Sequence, residues 1–101
     1  MTETLAQIEK AKVNLETSQI AWHELQRWFA GGLAIAVAAE LDLIEVAYQF
    51  SIDNKSQVEQ WLNAGKIGHV SDQQASDWYQ HNSQVWAVVV KPWVLVQESR
   101  V

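Results

Sequence analysis

The chain reads as one α+β domain in two layers, with helices packed on one face of a mixed or antiparallel sheet of four to five short strands. Three observations lead there. An opening third with apolar residues in steps of three and four reads as helix. Two later segments carry helix-capping residues at both ends. The Val-rich stretch from Val85 to Gln97 reads as strand, apolar on both of its sides.

In the opening third, Thr4 and Gln7 stand at the spacing of a capping box. Ile8, Ala11, Leu15, Ser18, Trp22, Leu25 and Phe29 then form a seam along one helix face. His23, Glu24, Gln26 and Arg27 fall opposite and should meet water, and Gly31-Gly32 supplies a stop. One helix or two is open, because Glu16-Thr17-Ser18 also suits an end followed by a new cap. Leu33 to Val37 reads as a short strand. Asp42 to Phe50 alternates with the period of a half-buried strand, although Ala47 to Ile52 also suits a helical turn.

Asp53 or Asn54 caps a helix running through Ala64, with Val58, Trp61 and Leu62 inward and Gly65 just past its end. Lys66 to Val70 reads as a short strand. Ser71 and Gln74 form a second capping box, Val70 and Ala75 a hydrophobic staple, and a helix follows from about Asp72 to His81. Pro92, lacking a ladder donor and ill suited to a primed hairpin turn, marks a bulge, a bend or a sheet edge.

Length and composition bound the rest. A chain of 101 residues, 49% hydrophobic and 19% charged, is the size and balance of a single domain spanning residues 1–101. The apolar run from Gly31 to Ala39 falls far short of the roughly 20 residues of a membrane helix. The opening residues carry Glu3 where a secretion signal needs basic charge, and no cysteine is present, so cytoplasm is the expected compartment. Net charge is −5, with seven acids against three bases in residues 1–50. An acidic chain without a Lys/Arg cluster repels a phosphate backbone, which speaks against nucleic acid and anionic membranes as partners.

Candidate chemistry is sparse. His23, His69 and His81 lack ligand partners at metal-site spacing, so no metal is expected. His69, Ser71 and Asp72 hold the letters of a catalytic triad, but crowded into four residues they point apart, and Ser71 is needed as a cap. Gly31-Gly32 and Gly65-Lys66-Ile67-Gly68 match no phosphate cradle, and no cofactor or catalytic residue is implied. The unusual feature is six tryptophans. Most read as core, but Trp86 and Trp93 flank the Val-rich strand at odd separation and would point to opposite sides of it.

Leu15-Glu16-Thr17, Ile20, Trp22, Glu24-Leu25-Gln26-Arg27 and Phe29-Ala30-Gly31 resemble the opening signature of a known family. Leu41 to Ala47 and Trp86 to Gln97 resemble its middle and closing ones. The family is domain of unknown function 2288, small uncharacterised bacterial proteins. That resemblance implies a stand-alone domain and brings no activity or cofactor with it.

Two functions follow as expectations. The first is a non-catalytic interaction module that self-associates, most simply as a homodimer, through the strand from Val85 to Gln97. Helices on one face leave the other side of that strand to be covered by a partner. The second is a small-molecule binder or minor enzyme with an aromatic pocket, in which Trp22 or Trp93 stacks a ligand and Glu24 or Arg27 orients it. Candidate binding or interface residues are Trp22, Glu24, Arg27, Trp86 and Trp93.

Overall fold

The computed structural model describes residues 17–99. The capping box at Thr4–Gln7 and the seam from Ile8 to Leu15 lie outside them. Strand β1 (Ser18–Ala21) leads into a 3-10 turn (Trp22–Leu25) and a short helix α1 (Gln26–Ala30). Then come β2 (Ala34–Val37), α2 (Leu43–Ser51), α3 (Lys55–Asn63), β3 (Ile67–His69), α4 (Asp72–Gln80), β4 (Gln84–Val90) and β5 (Trp93–Glu98). The five strands form one mixed sheet in the order β1-β4-β5-β2-β3, antiparallel except for the parallel pair β5 and β2.

The α+β class and the mixed five-stranded sheet agree with the sequence. The placing of the helices differs: they cover both faces. Ile20, Ala34, Val85, Ala87, Val94 and Val96 pack against Trp22, Leu25, Phe29, Ala75 and Trp78, from the 3-10 turn, α1 and α4. We call this side the Trp22 face. Ile35, Val37, Ile67, Val88, Trp93 and Leu95 pack against Leu43, Val46, Ala47, Phe50, Val58 and Trp61, from α2 and α3. This is the Trp93 face. The physical reason is the strand period of two: the unbroken apolar runs Val85–Val90 and Trp93–Val96 put apolar side chains on both faces of the sheet, which need cover above and below. The chain provides it by sending the β2–β3 connection over one face and the β3–β4 connection over the other.

Three local expectations are corrected. Residues 18–21 are strand instead of helix, with Ser18 opposite Ala87 and Ile20 opposite Val85. Ile20 and Trp22 serve the same core at a spacing of two, and the helical spacing holds only from Trp22 through Leu25 to Phe29. Asp42 to Phe50 is not a strand. Asp42 caps α2, its Oδ1 accepting the Ile44 N–H at 3.0 Å. Leu43, Val46, Ala47 and Phe50 then meet the sheet at i, i+3, i+4 and i+7.

Val85 to Gln97 is a hairpin. Val90 pairs with Trp93, leaving Lys91 and Pro92 as the two turn residues, joined by a cis peptide bond. Tight turns with cis proline at their third position are a defined class, distinct from the primed turns that Pro92 does not suit. The reversal also changes side-chain parity. Trp86 and Trp93 point to the same face of the sheet, because Val90 shares a face with both.

The capping expectations for α3 and α4 hold. Asn54, rather than Asp53, caps α3 by accepting the Gln57 N–H at 3.3 Å, and Ser71 Oγ accepts the Gln74 N–H at 3.1 Å. The four helices end alike, in a residue of positive φ whose following amide reaches back five residues: Gly32 (73°), Asp53 (56°), Gly65 (73°) and Asn82 (50°).

Candidate functional site

On the Trp93 face, α3 does not close completely over the end of the sheet where β5 begins. A cleft of about 430 Å³ remains. Ile35, Ile67 and Val90 form its floor, and Phe50, Val58 and Leu62 its roof. Each roof residue has a local cause: Phe50 ends the inward stripe of α2, while Val58 and Leu62 lie four apart on α3. Leu62, which reads as inward, is 49% exposed at the border of the cleft.

The hairpin turn and the α2–α3 loop supply the rim. Trp93, half-buried, stands at one side with its ring 6.3 Å from that of His69, edge to face at 63°. Asp53, Lys55, Glu59 and Lys91 complete the border. An apolar interior ringed by both signs of charge suits an apolar group with polar ends. No serine or threonine lines the cleft, and the chain has no cysteine. Ser71 Oγ is engaged at the start of α4, so its triad letters do not assemble. Among the described residues no group of three metal-ligating side chains comes together.

The candidate residues from the sequence are not brought together. Trp22 is fully buried, wedged between Phe29 and Trp78 on the other face. Glu24 and Arg27 are exposed on the turn and helix of that same side, away from Trp93. Trp86 is 40% exposed beside a shallow recess with Leu41, Ile44 and Gln97. Trp93 alone of the five reaches the cleft. His69, Lys91, Phe50 and Leu62 are not legible as site residues in the sequence, since four separate elements deliver them. The residual signal is Leu62, apolar at the outer limit of the stripe that Val58 and Trp61 form on α3.

The comparisons with known proteins agree with this architecture. A family model described as protein of unknown function (DUF2288) matches residues 8–98. The chain belongs to this family. No curated protein matches the DUF2288 chain. Among solved structures it is similar to one described as the NMR solution structure of PA1075 from Pseudomonas aeruginosa. The two are 38% identical with a TM-score of 0.81, covering 100% of this chain and 95% of the other. In the described part of the DUF2288 protein, no helix is long and apolar enough to cross a membrane.

Proposed function

We propose that this protein is a non-catalytic binding module and that its site is the Trp93 cleft. The observation that carries this is the cleft itself: an apolar hollow of about 430 Å³ bordered by an aromatic ring and by charges of both signs. Binding sites take this form when a few polar groups orient a largely apolar ligand. The reading keeps Trp93 from the sequence and replaces Glu24 and Arg27 by Lys55, Glu59 and Lys91. Titration with 8-anilinonaphthalene-1-sulfonate, an apolar fluorophore bearing one anionic group, tests it. Saturable binding is expected, weakened about tenfold both by Trp93→Ala and by Leu62→Trp, which narrows the mouth from an exposed position. Binding that neither substitution changes overturns the assignment.

Self-association is the second reading, and the exposure of Trp86 supports it. The original reason for expecting a dimer, a bare side of the Val-rich strand, does not hold, since helices cover both faces. Trp86 is nevertheless a large exposed aromatic with half-buried Leu41 and Ile44 beside it, the composition of an interface anchor. Light scattering at ~100 μM, where a micromolar dimer is largely associated, is expected to give twice the 11.5 kDa chain mass. Trp86→Ala should return it to the monomer value. A monomer mass for the unaltered chain rules this reading out.

A further inference from the structure

Among the described residues strand β3 is the last in the sheet, and no strand pairs with its outer edge. Two bonds set the phase of its ladder with β2: the Ala38 N–H donates to the Lys66 carbonyl at 2.8 Å, and the Val70 N–H to that of Ala34 at 3.3 Å. In antiparallel pairing the bonded residues alternate, so Lys66, Gly68 and Val70 direct their backbone groups at β2. Ile67 and His69, opposite Val37 and Ile35, therefore turn their N–H and C=O groups outward. Among the described residues no hydrogen-bond partner meets them there.

A recess lies on each side of this edge. The Trp93 cleft is one. The other, about 280 Å³ on the Trp22 face, opens over Gly68 and Ala36, with Lys66 and Gln74 as its polar side chains and no carboxylate in its lining. Gly68 creates it: a Cβ built there meets nothing within 4 Å.

We infer that the β3 edge takes up an extended peptide as an added strand, with an acidic side chain over Gly68 and apolar side chains on either side of it turned toward the Trp93 cleft. This rests on the cleft reading above and names its ligand class. Strand periodicity supplies the link. Residues paired with Ile67 and His69 must point to the Trp93 face, and the residue between them must point to the Trp22 face. The two recesses thus match consecutive side chains of one strand. Lys66, which also pairs with Glu40, gives the second recess its charge and selects a carboxylate. A second copy joined through its own β3 fits less well. Paired about Gly68, it sets glycine against glycine and leaves that recess unfilled.

Random heptapeptides displayed on phage, panned on the full chain, give the test. Enriched sequences should alternate apolar, acidic, apolar. The best of them, synthesised with blocked ends, should slow amide hydrogen exchange at Ile67 and His69 about tenfold by pairing those groups. Gly68→Val fills the open recess and should weaken binding about tenfold at unchanged thermal stability, and His69→Pro, which removes an outward N–H and no ladder bond, should do likewise. Equal enrichment on the unaltered chain and on Gly68→Val overturns the proposal. A peptide that shifts cleft side-chain signals but leaves the Ile67 and His69 amides unprotected overturns strand addition while the cleft reading stands. Protection of those amides that grows with protein concentration, without peptide, assigns the edge to a second copy and likewise overturns it. Fluorophore binding that neither Trp93→Ala nor Leu62→Trp changes strikes the cleft reading itself, and with it the apolar part of the peptide's pattern.

Discussion

Trp22 and Trp78 meet edge to face, ring centroids 5.0 Å apart at 62°, and this contact ties the 3-10 turn to α4 across the Trp22 face. Phe29 approaches Trp22 from the other side at 5.8 Å. Trp22 is fully buried, and its indole N–H has no acceptor among the described residues.

Removing the Trp22 ring should therefore be costly, and replacing it with a smaller ring much less so. Trp22→Ala is expected to lose about 3–5 kcal/mol, the usual cost of a large core cavity. Trp22→Phe keeps an aromatic edge and eliminates a buried orphan donor, so about 1 kcal/mol is expected. Denaturant midpoints of the two variants measure the difference. Equal losses would show that the phenyl ring left by Trp22→Phe does not fill the place of the indole.

Ser71→Ala should cost about 1 kcal/mol by orphaning the Gln74 amide at the start of α4. An unchanged urea midpoint would remove the cap from the account of this helix.

Two glycines, Gly65 just before β3 and Gly68 within it, should respond in opposite directions to alanine. Gly65 ends α3 at a φ of 73°, where a side chain is strained although no atom obstructs it. Gly65→Ala is expected to destabilise by about 1 kcal/mol. Gly68 has open space and needs no such backbone, so Gly68→Ala should be neutral or gain a few tenths of ~1 kcal/mol through reduced unfolded-state freedom. Thermal melts of both variants decide it, and a loss at Gly68 equal to that at Gly65 contradicts the backbone argument.

Gln97 fastens the middle of the sheet to the loop before α2. Its Nε2 donates to the carbonyls of Ala38, at 2.9 Å, and Leu41, at 2.7 Å. Gln97→Leu preserves size and removes both bonds, with an expected loss of about 1–2 kcal/mol. Hydrogen exchange should quicken first around Leu41, and unaltered exchange there would show that the loop is held by other contacts.

What the sequence made legible was local. Caps at Asn54 and Ser71 and stops at Gly32 and Gly65 are decided within one turn of helix, and they fell where the structure has them. Asp42 to Phe50 carried two periods at once, and only the cap at Asp42 distinguishes them. At Ser18 to Ala21, pairing with β4, some 65 residues on, overrides a helical spacing. Of the site, Trp93 was legible by its residue type. His69 and Lys91 were not, since a lone histidine and a turn lysine acquire meaning only when β3 and the hairpin are set side by side.

The strand order has a consequence for how the molecule is made. β1 pairs only with β4, and β3 only with β2, so the sheet consists of two halves. β5 alone joins them, although it is the last strand to be synthesised. Until residues 93–98 emerge from the ribosome, the parallel seam to β2 has no second side, and both cores lack their central members Val94, Leu95 and Val96. Assembly thus waits on closure of a loop of almost sixty residues, from Ala36 to Val96. A nascent chain halted before Trp93 would hold two strand pairs with no seam between them, open to chaperones and proteases in a way that the completed sheet is not.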